Sequence, residues 1–272
     1  MKKKVTTTTT VTEEYISVDE GKKLTLVAVV VDRSGSMNSI YDAALSGVNE
    51  QVRILKQSAK KKGVGKTLVS FIQFDTEIDT LTKNRPANEL KEFKHGDFFP
   101  RGGTSMYDAT HRAIQELKSY KTDASNVAYL VIVISDGYEN SSREVNASQL
   151  AQEIKTLQAT DKWTFSYMLS NQDLSVVRNT LGLNFGNTWG WTTTNAGVGT
   201  AYSVNAIATN NYMDGRALRG TTATSNFYAG AGSITEPNSA AGMITGSSAS
   251  VLNSASGITT ATAVGTKKVK TA

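Results

Sequence analysis

Apolar positions along this chain follow two different periods. "LTLVAVVVD" (24–32) and "VAYLVIVISD" (127–136) are nearly continuous aliphatic runs, each closed by an aspartate. Runs without polar alternation are what strands covered on both faces require, as in a parallel sheet. Elsewhere the spacing is helical. Ile40, Ala44, Val48, Val52 and Leu55 form one stripe on a long helix starting near Ser39, and Lys56, Lys60, Lys61 and Lys62 crowd its far end, where cations suit the helix dipole. "TLVSFIQFDTEIDTLT" (67–82) reads as two strands joined by a tight turn near Asp75 and Thr76. A helix opens at Thr104 or Ser105, burying Met106, Ala109, Ala113 and Leu117. Ala147, Leu150, Ile154 and Leu157 mark another. "WTFSYML" (163–169) predicts a strand, Leu174, Val177 and Leu181 a short helix, "NFGNTWGW" (184–191) a last strand, and about 197–218 a weaker helix. This alternation predicts an α/β fold: an open, doubly wound, mostly parallel sheet with helices on both faces and one antiparallel edge strand.

Composition divides the chain into three. Residues 1–23 form an arm whose stretch 5–12 is threonine-rich and favours extended backbone. Residues 24–220 carry the α/β pattern. Residues 221–272 shift to Ser, Thr, Ala and Gly, a composition that offers too little apolar surface to offset its own ordering but that can pack against other chains. The formal charge is +5, yet Lys2, Lys3, Lys4, Lys267, Lys268 and Lys270 more than account for it, so the body is close to neutral and nucleic acid is not an expected partner. With no cysteine, disulfides and thiolate metal sites are excluded. The basic start lacks an apolar segment behind it, and no run approaches the ~18 apolar residues of a membrane span. The expectation is a protein without signal peptide or membrane anchor, cytoplasmic or virion-associated.

Candidate chemistry gathers where ligands collect in such sheets, beyond the carboxyl ends of the strands. Asp32 and Asp136 end the two most buried runs. Aspartates there also serve merely to cap a turn or helix. The spacing adds information: Asp32, Ser34 and Ser36 alternate around Gly35, and "PRGGTSMYDA" delivers Thr104 at a helix start. Two carboxylates and three hydroxyls are hard oxygen ligands, suited to Mg²⁺ or Mn²⁺ rather than zinc, and they leave coordination positions over.

Rival motifs are weaker. Gly65, Lys66 and Thr67 lack the first glycine of a phosphate loop and precede a strand instead of following one. A haloacid-dehalogenase-type phosphotransferase wants a second Asp where Ser34 stands. Neither His95 nor His111 is spaced for a triad, and no GxSxG elbow exists, so the protein is not expected to be an enzyme. Asp108 is expected to complement a helix dipole, and Asp75, Glu77 and Asp79 to be solvated turn and edge-strand charges. Trp163, Trp189 and Trp191 fit the sheet–helix interface. Phe98 and Phe99 fit either an apolar rim to the site or core packing, and Tyr138 is a further rim candidate.

"DRSGSM", "RGGTSMYDA" and "VISDGYEN" resemble, in order and spacing, the three loops of the metal-ion-dependent adhesion site of von Willebrand factor type A domains, most of all its single-domain bacterial and phage members. The resemblance covers about residues 24–220, with all five pattern positions present. It implies a metal held by Ser34, Ser36 and Thr104, with Asp32 and Asp136 binding directly or through water. It also implies an open position that accepts an Asp or Glu from a partner protein. The arm and the tail have no counterpart in that family. They motivate an alternative, a structural or assembly protein of a phage particle or other homo- or hetero-oligomeric assembly, in which these flanks join subunits.

Overall fold

The computed structural model describes residues 23–232. The arm at 1–22 and the segment beyond 232 lie outside the described residues, and with them the inter-subunit role expected of the flanks. Six strands form one sheet: β1 (Lys23–Asp32), β2 (Lys66–Phe74), β3 (Ile78–Pro86), β4 (Asn126–Ser135), β5 (Trp163–Ser170) and β6 (Thr188–Trp191), in the order β3-β2-β1-β4-β5-β6. Only β3 runs antiparallel, paired with β2 at the edge. Its burial alternates, its pairing is twice interrupted, and Lys83 and Arg85 decorate it, features that discourage further strands from adding.

The sheet separates two apolar layers, and β1 feeds both. Val27, Val29 and Val31 face α1 (Tyr41–Ser58) and α5 (Asn195–Arg219), while Leu24, Leu26, Ala28 and Val30 face α2 (Met106–Ser119), α3 (Ala147–Gln158) and α4 (Leu174–Leu181). All ten β1 residues are buried, which is why the run reads as unbroken. The three tryptophans are buried in these layers as expected. The chain leaves β1 for β2 on one side and later returns to place β4 on the other. The switch point of the sheet therefore lies between β1 and β4, between Asp32 and the residue that follows Ser135.

The helix expected at about 197–218 is present as α5, and its apolar stripe is faint because its buried side is partly polar. Gln51 donates to Thr209 Oγ1 (2.8 Å), Asn205 donates to Gln51 Oε1 (2.9 Å), and Arg216 is fully buried, bonded to Thr25 Oγ1 (2.9 Å) and the Leu24 carbonyl (3.0 Å). Polar pairs satisfied across an interface bury as well as aliphatic ones but leave no hydrophobic period. The packed unit, expected to end near Gly220, continues past it. Phe227 and Tyr228 are buried, Tyr228 N donates to the Gly186 carbonyl, and the Asn187 side chain takes Phe227 N and reaches the Thr224 carbonyl. Two buried aromatics and backbone bonds such as Thr224 N to Thr164 Oγ1 dock a segment whose average composition argues against packing. Among the described residues, no helix is long and apolar enough to cross a membrane.

Candidate functional site

Three loops meet over the switch point. Gly35–Ile40, a 3₁₀ turn, follows β1; residues 99–105 precede α2; residues 136–146 follow β4. All five oxygen-bearing residues singled out by spacing come together here. Asp32 accepts Ser34 N through Oδ1 (2.6 Å) and Ser135 Oγ through Oδ2 (2.5 Å). The hydroxyls of Ser34 and Ser36 are 3.0 Å apart, and Ser36 Oγ donates to Asp136 Oδ1 (2.7 Å). Thr104 joins them through Gly137. A Cβ at Gly137 would lie 3.0 Å from Thr104 Oγ1 and 3.6 Å from both Asp32 Oδ2 and Ser36 Oγ, so oxygens of the first two loops converge on one small space that a glycine of the third leaves open.

The electrostatics of that space are unfavourable for two carboxylates alone. Burial raises the Asp32 carboxyl to about 7, with Asp136 adding repulsion and the bonds from Ser135 and Ser34 acting against the rise. Asp136 is also raised, again chiefly by burial. Its Oδ2 is buried without a hydrogen-bond partner. A buried carboxylate oxygen without a donor, on a carboxylate already bonded to the Ser36 hydroxyl, fits a hard divalent cation. Among the described residues no three His, Cys, Asp or Glu side chains gather as a cation site, so the donor set available here is two carboxylates and three hydroxyls.

The aromatic candidates divide. Phe98 is only 4% exposed and stacks on Tyr41 (5.7 Å between centroids), so it belongs to the core and not to a rim. Phe99 and Tyr138 are 67% and 55% exposed on the loops that carry Thr104 and Asp136.

Sequence reasoning missed the residues that hold these loops. Asp75, expected to be solvated, is buried and ion-paired with both Arg33 and Arg101 (2.8 Å each), and Arg33 also meets Asp79 (2.6 Å). Asp108 does lie in the first turn of α2, but its carboxylate chiefly accepts the backbone N–H groups of Arg143, Glu144 and Val145. Glu139 reciprocates by accepting Tyr107 N (2.9 Å) along with Ser141 N and Ser142 N. Charges that bind backbone or distant arginines have no local period, and only the position of Asp75 directly after Phe71, Ile72 and Phe74 hinted at burial.

No protein-family model matches the chain, and no curated protein matches its sequence. Solved structures do resemble it. The pilus adhesin SpaC of Lactobacillus rhamnosus GG is 14% identical over 70% of this chain and 30% of its own, with a TM-score of 0.51. The vWF domain of the type V pili tip protein Mfa5 of Porphyromonas gingivalis is 13% identical over 70% of this chain and 96% of its own (TM-score 0.49). A von Willebrand factor type A protein of Catenulispora acidiphila is 14% identical over 69% of this chain (TM-score 0.43), and the match spans 42% of that protein's length. The likeness to the pilus adhesin is one of fold alone, and the sheet here is mostly parallel and six-stranded with one antiparallel edge.

Proposed function

We propose that this chain is a non-enzymatic, divalent-cation-dependent protein-binding module that takes an Asp or Glu side chain of a partner. The observation that carries the reading is the convergence of Asp32, Ser36 and Thr104 oxygens on the space beside Gly137, together with a buried, unpartnered Oδ2 on the adjacent Asp136. Ser34, Ser36 and Thr104 would hold Mg²⁺ or Mn²⁺ through hydroxyls, and Asp32 and Asp136 through carboxylates. Bound there, the cation supplies positive charge that attracts a carboxylate, because neutral hydroxyls leave much of that charge uncancelled. Ser135 and the Ser34 amide orient Asp32 from behind, which keeps its carboxylate from turning away. The exposed rings of Phe99 and Tyr138 offer apolar surface on two of the three loops to whatever carries the acid. Neither histidine stands among these oxygens: His111 pairs with Glu153 (2.7 Å) and His95 lies against Asp42 and Tyr41, which supports binding over catalysis.

Equilibrium dialysis of the full chain against Mn²⁺ tests the reading. The parent binds about one ion per chain. Gly137→Ala, whose methyl would enter the oxygen cradle, and Thr104→Ala both weaken binding at least about 10-fold, the usual scale of damage to a site's immediate surroundings. Equal retention by parent and both variants would remove the site from these loops.

A further inference from the structure

The turn between β2 and β3 contributes none of the five candidate ligands, yet both ligand-bearing loops on that side of the site are fastened to it. From the first loop, Arg33 N donates to the Phe74 carbonyl (2.7 Å), and the Arg33 guanidinium lies 2.8 Å from Asp75 Oδ2. From the second, Arg101 Nε donates to the same Oδ2 (2.8 Å), Gly103 N donates to Thr76 Oγ1 (2.9 Å), and Ser105 N donates to the Asp75 carbonyl (2.9 Å). The two loops also touch directly, Arg101 N to the Arg33 carbonyl (2.8 Å) and Gly35 N to the Gly102 carbonyl (3.2 Å). Arg33 sits between Asp32 and Ser34, and Gly103 and Ser105 flank Thr104. Every candidate ligand of these two loops except Ser36 is therefore next in sequence to a residue held by the turn.

Asp75 is the centre of the arrangement. It is 1% exposed, its Oδ1 accepts Glu77 N (2.6 Å), and its Oδ2 takes two guanidinium groups, one from each loop. The cations that this carboxylate meets are arginines. A buried carboxylate shared by two arginines has a narrow choice of geometry, because moving either loop strips a partner from a charge that burial makes costly to leave alone. We propose that Asp75 is a positioning residue for the cation site: through Arg33 and Arg101 it sets the distance between the Asp32–Ser34 segment and Thr104. The inference rests on the cation-binding reading of those loops.

Two variants of the full chain test it. Asp75→Asn keeps the shape of the side chain but presents an amide where two guanidiniums meet. Thr76→Val replaces the hydroxyl that holds Gly103 N with a methyl, at an exposed position away from the core. Mn²⁺ affinity is measured well below the melting temperature, and amide hydrogen exchange is followed in metal-free protein. The expected result is a loss of about 10- to 100-fold in Mn²⁺ affinity for Asp75→Asn and about 10-fold or less for Thr76→Val. Exchange should quicken at both 33–36 and 101–105, while the β4 and β5 amides stay as slow as in the parent. A merely structural role would lower the melting temperature without moving the affinity of the folded protein. Unchanged Mn²⁺ affinity in both variants beside a parent that binds overturns the inference alone. A parent that binds no Mn²⁺ overturns the cation site itself, and the inference with it.

Discussion

Asp32 bears the largest electrostatic penalty at the site, and the sign of that penalty is measurable. Its carboxyl is raised from the ordinary 3.8 to about 7, so between those values the folded chain holds a proton that the unfolded chain has released. Stability from this group is complete below pH 4 and is lost as pH rises towards 7, by about 1.4 kcal/mol for each unit crossed. Asp32→Asn removes the titration. In chelator, the variant is expected to match the parent near pH 4 and to unfold at a higher denaturant concentration at pH 7.5. A parent that equals or exceeds the variant at pH 7.5 would mean that Asp32 is not strained by burial. That these five oxygen-bearing residues lie close together was legible from sequence, because they sit at or just beyond strand ends and before a helix, where local spacing determines position. Ser135, Asp75 and Arg33 were not, since their partners lie in other loops and no local pattern announces them.

At the scale of elements, the loop after β4 is shaped less by its own sequence than by α2. The Asp108 carboxylate collects three consecutive backbone N–H groups from residues 143–145, and Asp108 N is itself taken by Ser142 Oγ (3.1 Å). Asp108→Ala would strip those three donors of their protein acceptor. The expected loss is roughly 2–4 kcal/mol in urea unfolding, several net hydrogen bonds to a charged group. A loss under about 0.5 kcal/mol would show that water replaces the carboxylate at no cost. Strands were easier to read than helices here. β1 and β4 are buried on both faces and appear as unbroken aliphatic runs, whereas α5 meets α1 through Gln51, Asn205 and Thr209 and through Tyr202, whose ring packs where a Cβ on Gly47 would stand. Such an interface is specific without being periodic.

Over the whole molecule, the order β3-β2-β1-β4-β5-β6 follows from strands that alternate with helices and one tight hairpin, and the switch point it creates is where the site lies. The end of the packed unit was the poorest expectation, because Phe227 and Tyr228 are two aromatics in a stretch otherwise made of small residues. Tyr228 is wholly buried, lies against Trp189 and Phe227, and accepts from Ser166 Oγ (2.9 Å). Tyr228→Ala is expected to destabilise the full chain by about 3–5 kcal/mol. A near-neutral result would place the segment from 221 outside the cooperative unit. The central claim, that five oxygen-bearing side chains over the switch point hold a divalent cation, is tested most directly by thermal melts of the full chain in chelator and in Mg²⁺ or Mn²⁺. A ligand bound only by the folded state stabilises it by about 2.7 kcal/mol at a hundredfold excess over Kd. The parent is expected to show an upward shift with either metal, and Asp32→Ala none. An identical melt with and without metal in the parent, or an equal shift in Asp32→Ala, would contradict the claim.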